Sequence, residues 1–311
     1  MSVLVLGDAN VDLEIRLPPD PAPPPFANPD PRMSGGGSAA NTAAGLADLG
    51  VPCRFVGTVG DDAPGRFAIE SLNDAGVDTS LVGIVADEPT VMVIVVIGDD
   101  GDRLIYVWPP RGGAHRALDV ETATGAVAGS AWLHVSGIAL RVSPAREAIL
   151  AAMELARSEG VTVSLDLNLR LENWGWENGF REVISDAVER SDVVLGAASD
   201  EIGALAGVDD PVEACARLAG DSRIVVARLG ADGSVAHGDG HVVTVPGFEV
   251  DVVDTVGAGD AFDSGFIAAR LLGDDLAESL RWGNAVAALT ISHPGARSTP
   301  TRDEVERLLL S

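Results

Sequence analysis

Short apolar runs of strand length alternate with longer stretches of helical periodicity along almost the whole chain of 311 residues. The predicted strands are 3–7, 53–59, 131–135, 162–166, 192–195, 222–228, 233–237 and 241–245. The predicted helices are 39–49, 64–75, 119–128, 144–159, 179–190, 199–206, 211–219, 258–272, 275–291 and 302–310. This alternation is typical of a mostly parallel sheet with helices on both faces. We therefore expect an α/β protein with one domain over residues 1–311.

Two parts of the chain interrupt this alternation and predict a separate small β-sheet. Its expected strands are 11–15 and the two arms of a hairpin, 90–97 and 103–108. We expect segments of about 10–34 and 87–113 to form a lid that excludes water from a cleft. Eight prolines between Pro18 and Pro31 predict a stiff exposed connection, with disorder as the open alternative.

The charge of the chain restricts its partners. It carries 47 acidic and 21 basic residues, a net charge of −26, and no lysine. Such a surface repels nucleic acid and anionic membranes, so neither is an expected partner. Codon bias and adaptation to high salt are both open explanations. Because a Walker-type phosphate loop needs its lysine, a nucleotide would have to be bound by backbone amides, arginine and Mg²⁺.

Location and redox state follow from equally simple features. No uncharged apolar run approaches the roughly 20 residues of a membrane span. The first strand begins at Ser2 with no basic segment or cleavage site before it, so we expect a cytoplasmic protein. Cys53 and Cys215 are far apart and outside any CxxC pattern, which predicts buried thiols rather than a disulfide or metal site.

A glycine-rich turn at residues 254–266, DTVGAGDAFDSGF, ends in a carboxylate just where an apolar helix is predicted to begin. Gly257, Ala258 and Gly259 are small enough for their backbone N–H groups to converge on one anion, which the helix dipole also attracts. Asp260 at the rim of this hole can accept a proton from an incoming hydroxyl. A purely structural turn is the alternative.

This turn resembles the C-terminal signature DTxGAGDxFxxG of the ribokinase-like (PfkB) family of carbohydrate kinases at every defined position. The resemblance implies a three-layer sandwich with a β-sheet lid, and ATP with Mg²⁺ as cofactors. It implies that Asp260 is the catalytic base and that residues 257–259 form the anion hole. It also implies a monovalent-cation site, such as one for K⁺, at Asp254 and Val256. Many members dimerise through the lid, and the proline-rich insert leaves that homodimer open here.

Two N-terminal motifs also match the family. The segment GDANVD follows the first strand, at the sheet edge where ligands of open α/β folds bind, and SGGGSAAN leads into the first helix. The resemblance implies that Asn10, Asp12, Gly36, Gly37 and Asn41 bind the sugar. Taken alone, the first motif favours a structural turn, and the second reads as a flexible linker or a weak dinucleotide fingerprint.

Substrate choice is predicted from the middle of the chain. The segment SLDLNLR, ending at Arg170, resembles the DxNxR motif of fructokinases and 2-keto-3-deoxygluconate kinases. In the keto-acid kinases an arginine at this position helps to hold the substrate carboxylate, so the resemblance implies that role for Arg170, and Arg111 from the lid could supply a second cation. Ribose is disfavoured because HVSG lacks the acidic residue that many ribokinases have there. A surface or structural role for Arg111 remains the alternative.

The nucleotide side departs from the family in part. The family often carries Asn-x-x-Glu to organise Mg²⁺ and its waters, whereas this chain has ASDE, which keeps Glu201 and places Ala198 at the amide position. The segment RLGADG matches the nucleotide-side landmark and implies that Arg228 and Gly230 lie near the cofactor. Asn284 lies at a position that borders the adenine in relatives. An ordinary position on a helix surface is the alternative.

These features predict a kinase that phosphorylates a primary hydroxyl of a sugar or sugar acid, of the fructose or 2-keto-3-deoxygluconate type. A ribokinase or an adenosine-type nucleoside kinase is the alternative within the family. A non-catalytic sugar-binding protein is the alternative from another class, and only the missing amide beside Glu201 favours it. A dinucleotide oxidoreductase is disfavoured because no GxGxxG directly follows the first strand.

Overall fold

The computed structural model describes residues 2–17, 31–98, 103–110, 112–176, 178–238 and 240–310. The strands are β1 (Val3–Leu6), β2 (Asn10–Arg16), β3 (Arg32–Gly36), β4 (Cys53–Val56), β5 (Thr58–Gly60), β6 (Gly83–Val85), β7 (Met92–Ile97), β8 (Arg103–Trp108), β9 (Trp132–Ser136), β10 (Thr162–Asp166), β11 (Val193–Ala197), β12 (Ile224–Arg228), β13 (Ser234–Gly238) and β14 (His241–Val245). The helices are α1 (Ser38–Asp48), α2 (Ala63–Asp74), α3 (Val120–Gly125), α4 (Ala145–Ser158), α5 (Leu171–Trp174), α6 (Asn178–Glu189), α7 (Ala204–Ala206), α8 (Pro211–Ala219), α9 (Ala258–Leu272), α10 (Leu276–Ile291) and α11 (Arg302–Leu309).

The central sheet has eight strands in the order β14-β13-β12-β11-β10-β9-β1-β4. The strands from β12 to β4 are parallel, and β13 and β14 extend one edge antiparallel. Successive residues of β1 point to opposite faces: Leu4 and Leu6 pack in the core with α4 and α8, and Val3 and Val5 pack with α1, α9 and α10. The predicted α/β three-layer sandwich is therefore confirmed.

A second sheet of four strands, in the order β3-β2-β7-β8, contains the two segments that break the α/β alternation. The pairs β2–β3 and β7–β8 are antiparallel, and β2–β7 is parallel, so the sheet is mixed. The predicted hairpin is present as β7 and β8, and its tip at 99–102 lies outside the described residues. The proline-rich connection also lies outside them, except for Pro31.

The sequence prediction of one strand over 53–59 is wrong. The segment instead forms β4 in the central sheet and β5 in a two-stranded sheet with β6. Gly57 separates the two because the chain there passes very close to the loop after β1: a Cβ on Gly57 would lie 2.4 Å from the carbonyl oxygen of Gly7. Local apolar pattern does not reveal such an approach between distant segments.

The carboxyl ends of the parallel strands meet at one edge of the central sheet, and α1 and α9 pack together beside that edge. Both cysteines are free and buried, as predicted. Within the described ranges, no helix is both long and apolar enough to cross a bilayer. The loops at the carboxyl edge, together with the first turns of α1 and α9, position the candidate site.

Candidate active site

The glycine-rich turn forms an open cradle of amides at the start of α9. Gly257 precedes the helix with a φ of 80°, and a Cβ there would lie 2.7 Å from the carbonyl oxygen of Ala296, so only glycine fits without strain. Of this turn, the N–H of Ala258 donates to Thr255 at 3.3 Å, and those of Gly257, Gly259 and Asp260 have no acceptor among the described residues. Free N–H groups at a helix N-terminus suit a phosphate.

Asp260 is buried at the rim of this cradle. Its Oδ1 accepts a hydrogen bond from the Ser38 hydroxyl at 2.7 Å, and its Oδ2 accepts one from the Asn41 amide nitrogen at 2.8 Å. Burial raises the pKa of Asp260 to about 7, and these two hydrogen bonds hold it down from a still higher value. A carboxyl group with a pKa near neutrality suits a general base. The structure thus places Asn41 directly on the predicted base.

Three of the predicted sugar-binding residues, Asn10, Asp12 and Gly36, lie on two neighbouring strands of the second sheet. On β2, the amide nitrogen of Asn10 donates to Asp12 at 2.8 Å. Burial raises the pKa of Asp12 to about 6, while the hydrogen bond from Asn10 and the charge of Arg297 lower it. A Cβ on Gly36 would lie 2.5 Å from the Asp12 carboxylate, which explains why β3 ends in glycine there. Gly37 follows with a φ of 96°, directly before α1.

Asp8, in the loop after β1, fixes the start of α1. Its carboxylate accepts hydrogen bonds from the N–H groups of Ser38 at 3.0 Å and Ala39 at 3.3 Å, which are otherwise unpaired donors of the first helical turn. Asp8 lies within the GDANVD motif, but its capping role was not predicted from the sequence. An Asp or Asn before an apolar helix is a recognisable cap in sequence, but here 30 residues separate the cap from the helix it serves.

Arg297, to which no role was assigned from the sequence, lies close to the predicted base. It follows α10, and its guanidinium donates to Asn41 Oδ1 at 3.0 Å, to the carbonyl oxygen of Gly36 at 3.0 Å and to the hydroxyl of Ser71 at 2.8 Å. Burial lowers the pKa of Arg297 to about 10, so it remains a cation at neutral pH. Nothing in the segment GARST predicts the contact of Arg297 with Asn41, which lies 256 residues away in the chain.

Arg228, the last residue of β12, lies beneath the amide cradle. Its guanidinium contacts Asp263 at 2.6 Å, Asp166 at 2.7 Å and Glu201 at 3.6 Å, and it lies 3.4 Å from the carbonyl oxygen of Gly259. Burial alone would lower the pKa of Arg228, but these carboxylates raise it above its ordinary value. Arg228 thus lies next to the predicted phosphate site, and three carboxylates surround its guanidinium group.

Glu201 occupies a wide π-helical turn, Ala198–Gly203, that precedes α7. Its two carboxylate oxygens accept hydrogen bonds from the N–H groups of Leu169 and Ala197, both at 2.7 Å. Burial and then the nearby Asp166 raise the pKa of Glu201. Each oxygen of the carboxylate can still accept a second hydrogen bond, so the residue fits a water-mediated role toward Mg²⁺.

The loop after β10 has a strained backbone, which hydrogen bonds with two neighbouring residues hold in place. Asn168 and Arg170 adopt left-handed φ values of 37° and 49°, which are rare for residues with side chains. Between them, Leu169 donates its N–H to Glu201 and accepts a hydrogen bond from Arg141 at 2.7 Å. Strain of this kind persists only where surrounding structure fixes it, and it often marks functional sites. The Arg170 side chain is exposed at this rim.

The remaining predicted residues take varied places. Asp254 accepts hydrogen bonds from the N–H groups of Val256 and Gly295, so it joins the predicted monovalent-cation site to the loop after α10. Gly230 lies in an exposed turn after β12. Asn284 is not a surface residue of α10: it is buried, and its amide holds residues 245 and 246 at the end of β14. Arg111 lies outside the described residues.

The site can be compared with known proteins. Residues 1–302 match the family described as pfkB family carbohydrate kinase. The ATP-dependent ribose-1-phosphate kinase of Halopiger xanaduensis is 36% identical, and the match covers 99% of this chain and 97% of that one. The fructokinase of Klebsiella pneumoniae is 33% identical over 99% of both. The 5-dehydro-2-deoxygluconokinase of Geobacillus thermodenitrificans is 32% identical over 88% of this chain and 83% of that one.

Two solved structures with the same architecture contain ligands. Aminoimidazole riboside kinase from Salmonella enterica, complexed with aminoimidazole riboside and an ATP analog, has a TM-score of 0.81 and 30% identity over 100% of both chains. A fructokinase double mutant from Vibrio cholerae, in a form that binds fructose, ADP and potassium ion, has a TM-score of 0.82 and 27% identity. That match covers 99% of this chain and 98% of the other.

Proposed function

The chain belongs to the pfkB family of carbohydrate kinases, and from this premise we propose that it transfers the γ-phosphoryl group of ATP to a primary hydroxyl of a sugar or sugar acid. That it is an ATP-dependent sugar kinase follows from the family and its kinase relatives. The observation that carries the finer proposal is the buried carboxylate of Asp260 beside the glycine turn, where the N–H groups of Gly257 and Gly259 have no acceptor among the described residues. Because the reaction consumes ATP, we propose that the protein is located in the cytoplasm.

In the proposed mechanism, Asp260 removes the proton from the acceptor hydroxyl as its oxygen forms a bond to the γ-phosphorus. The bond from phosphorus to the bridging oxygen of ADP breaks, and the proton remains on Asp260 until it is released to solvent. The N–H groups of Gly257, Ala258 and Gly259 stabilise the charge on the transferred group. Ser38 and Asn41 hold the carboxylate ready for the proton through their hydrogen bonds.

Mg²⁺ fits the nucleotide side of the site and would neutralise charge on the ATP phosphates when bound. Glu201 is the residue proposed to orient its waters, since its carboxylate is fixed by two backbone N–H groups. Arg228 keeps the neighbouring acids compensated beneath the amide cradle. Asp254 and Val256 would border a monovalent cation, and potassium in the Vibrio cholerae fructokinase supports K⁺ as the candidate.

On the acceptor side, we propose that Asn10 and Asp12 bind vicinal hydroxyls and that Gly36 and Gly37 let the sugar approach the backbone. The exposed Arg170 suits an anionic group on the acceptor, such as the carboxylate of 2-keto-3-deoxygluconate. Arg111 remains the proposed second cation from the lid. A second candidate is ribose 1-phosphate, which the 36% identity to a ribose-1-phosphate kinase favours, with its phosphate in place of the carboxylate.

We also propose a homodimer through the four-stranded sheet, which would then act as a lid over the acceptor. Strand β8 lies at the edge of that sheet, and its side chains from Leu104 to Trp108 are 46–64% exposed although all five are apolar or aromatic. Exposed apolar edge strands are usually covered by a partner. Sedimentation of the protein, compared with a Leu104→Glu/Tyr106→Glu variant, tests this proposal.

The test of the proposed function is ATP consumption with a panel of acceptors at low and high salt, in the presence of Mg²⁺. The panel contains fructose, 2-keto-3-deoxygluconate, 5-dehydro-2-deoxygluconate, ribose, ribose 1-phosphate and adenosine. We expect ADP formation with one sugar or sugar acid and none with water alone. Thermal stabilisation by a sugar without ADP formation would identify a sugar-binding protein instead, and turnover of adenosine alone would identify a nucleoside kinase.

A further inference from the structure

Arg297 connects three elements around the acceptor side of the site. Its guanidinium donates to the carbonyl oxygen of Gly36 on β3, to the hydroxyl of Ser71 on α2 and to the side-chain oxygen of Asn41 on α1, at 2.8–3.0 Å. The planar fork of arginine fixes these three acceptors relative to one another, which a flexible cation could not do. Asn41 is in turn bonded to the predicted catalytic base.

The contact with Arg297 decides which way the Asn41 amide faces. An amide has an accepting oxygen and a donating nitrogen at nearly equivalent positions. Because Arg297 Nε donates to Oδ1, the amide nitrogen faces the carboxylate of Asp260, at 2.8 Å. The reversed amide would set N–H against N–H and oxygen against carboxylate. Arg297 therefore excludes the orientation that would repel an ionised Asp260.

The charge of Arg297 acts in the same direction. It lies near Asp12, Asp48 and Asp260, and its charge favours the ionised form of these acids, although no ion pair within 4.0 Å joins it to any of them in the described part of the chain. The other charged groups that face Asp260 oppose ionisation: they are Asp8 from the loop after β1, Asp166 from β10 and Asp263 from α9. Arg228 is engaged with the last two of these.

We propose that Arg297 is a positioning residue for the catalytic base: it orients Asn41 and holds the Asp260 carboxylate in its proton-accepting form. The proposal rests on the proposed role of Asp260 and adds a residue outside the motifs of the sequence. Its two parts, orientation and charge, can be separated by two substitutions. Arg297→Lys keeps the charge and loses the fork, whereas Arg297→Gln loses the charge and can still donate to Asn41.

The experiment measures kcat/KM against pH with saturating ATP and the acceptor found in the panel. For Arg297→Gln we expect the acidic limb to move upward by about one pH unit, with activity recovering at high pH, because the ionised form of Asp260 loses its nearby cation. For Arg297→Lys we expect an unmoved limb and roughly tenfold lower kcat from the misplaced amide. Arg217→Gln, which removes a surface arginine paired with Glu213, is the control and should match the wild type.

If kcat/KM falls by the same factor at every pH in both variants and the acidic limb of the profile does not move, Arg297 has only a structural role and the proposal is overturned. Should Arg297→Gln fail to fold, Arg297→Lys decides alone, and wild-type kcat in that variant contradicts the orienting role. The pKa of Asp260 can also be measured without turnover, by carbon-13 NMR titration of labelled aspartate, with the Asp260 signal assigned from the Asp260→Asn variant. A wild type without any turnover would reject the proposed function, whereas an active wild type with unchanged Arg297 variants rejects only this inference.

Discussion

Two buried arginines, one at the nucleotide end of the site and one at the acceptor end, hold carboxylates in opposite ways. Arg228 makes direct ion pairs of 2.6 and 2.7 Å with Asp263 and Asp166, and these raise its pKa above the ordinary value. Arg297 donates only to neutral acceptors among the described residues, and burial lowers its pKa to about 10.

The difference shows how one fold places carboxylates that are held in direct ion pairs close to a carboxylate that can gain and lose a proton. A direct buried pair holds its partners in place, because removing either leaves an uncompensated charge in a low dielectric. Asp260 has no direct ion pair among the described residues: burial raises its pKa to about 7 and the hydrogen bonds from Asn41 and Ser38 lower it, so it can exchange a proton. The nucleotide end is thus built for rigidity, and the acceptor end for proton transfer.

The largest expected effect comes from breaking the direct pairs. Arg228→Met leaves Asp166, Glu201 and Asp263 without their cation, and we expect the free energy of unfolding to fall by about 3–5 kcal/mol in a urea titration. Arg217→Met on the protein surface, which breaks the exposed pair with Glu213, should change it by less than about 1 kcal/mol. Equal stability of the two variants would contradict the distinction between the two arginines.

At the acceptor end, a substitution should instead increase the free energy of unfolding. Burial raises the pKa of Asp260 from an unfolded value of about 3.9 to about 7, so ionisation of this acid opposes folding increasingly as the pH rises between those values. We expect Asp260→Asn to be more stable than the wild type at pH 8, by up to about 4 kcal/mol, with the gain fading as the pH falls towards 4. Urea titrations at several pH values measure it, and a gain independent of pH would argue against a buried ionised base.

A smaller effect is expected from a single hydrogen bond at the base. Ser38→Ala removes the hydroxyl that donates to Asp260 at 2.7 Å, and this bond lowers the pKa of the carboxyl group. We expect kcat/KM to fall by about threefold at pH 6.5 and to match the wild type near pH 8.5. Ser158→Ala, at an exposed helix end, serves as the control. A loss of the same size at every pH would assign Ser38 to substrate contact rather than to the base.

Local features of the sequence were enough to predict the fold and the position of the glycine turn at the start of α9. The predicted helix 258–272 matches α9 at both ends, because the glycine turn before it and Gly273 after it mark helix boundaries. Alternation of apolar runs was enough for the parallel sheet, since each strand and helix is specified by its own residues. The strand over 53–59 failed where a long-range approach at Gly57 intervened.

What sequence reasoning missed depends on distant contacts. Asn41 and Asp260 are 219 residues apart, and Arg297 and Gly36 are 261 apart, so no window of sequence contains either pair. Arg228 was predicted to lie near the cofactor, but its carboxylate partners come from three separate elements. These partners decide its charge state and therefore its role. Only the assembled sheet edge brings them together.

The central claim is that Asp260 removes the proton from the acceptor, and one comparison tests it most directly. Asp260→Asn and wild type should be measured in a single turnover at pH 8 with the acceptor identified from the panel, alongside the acceptor Kd. The account predicts a rate about 10²- to 10⁴-fold lower, with the Kd changed only a few-fold, because the amide retains the shape of the carboxyl group but cannot take the proton. Phosphoryl transfer at the wild-type rate in that variant would contradict it.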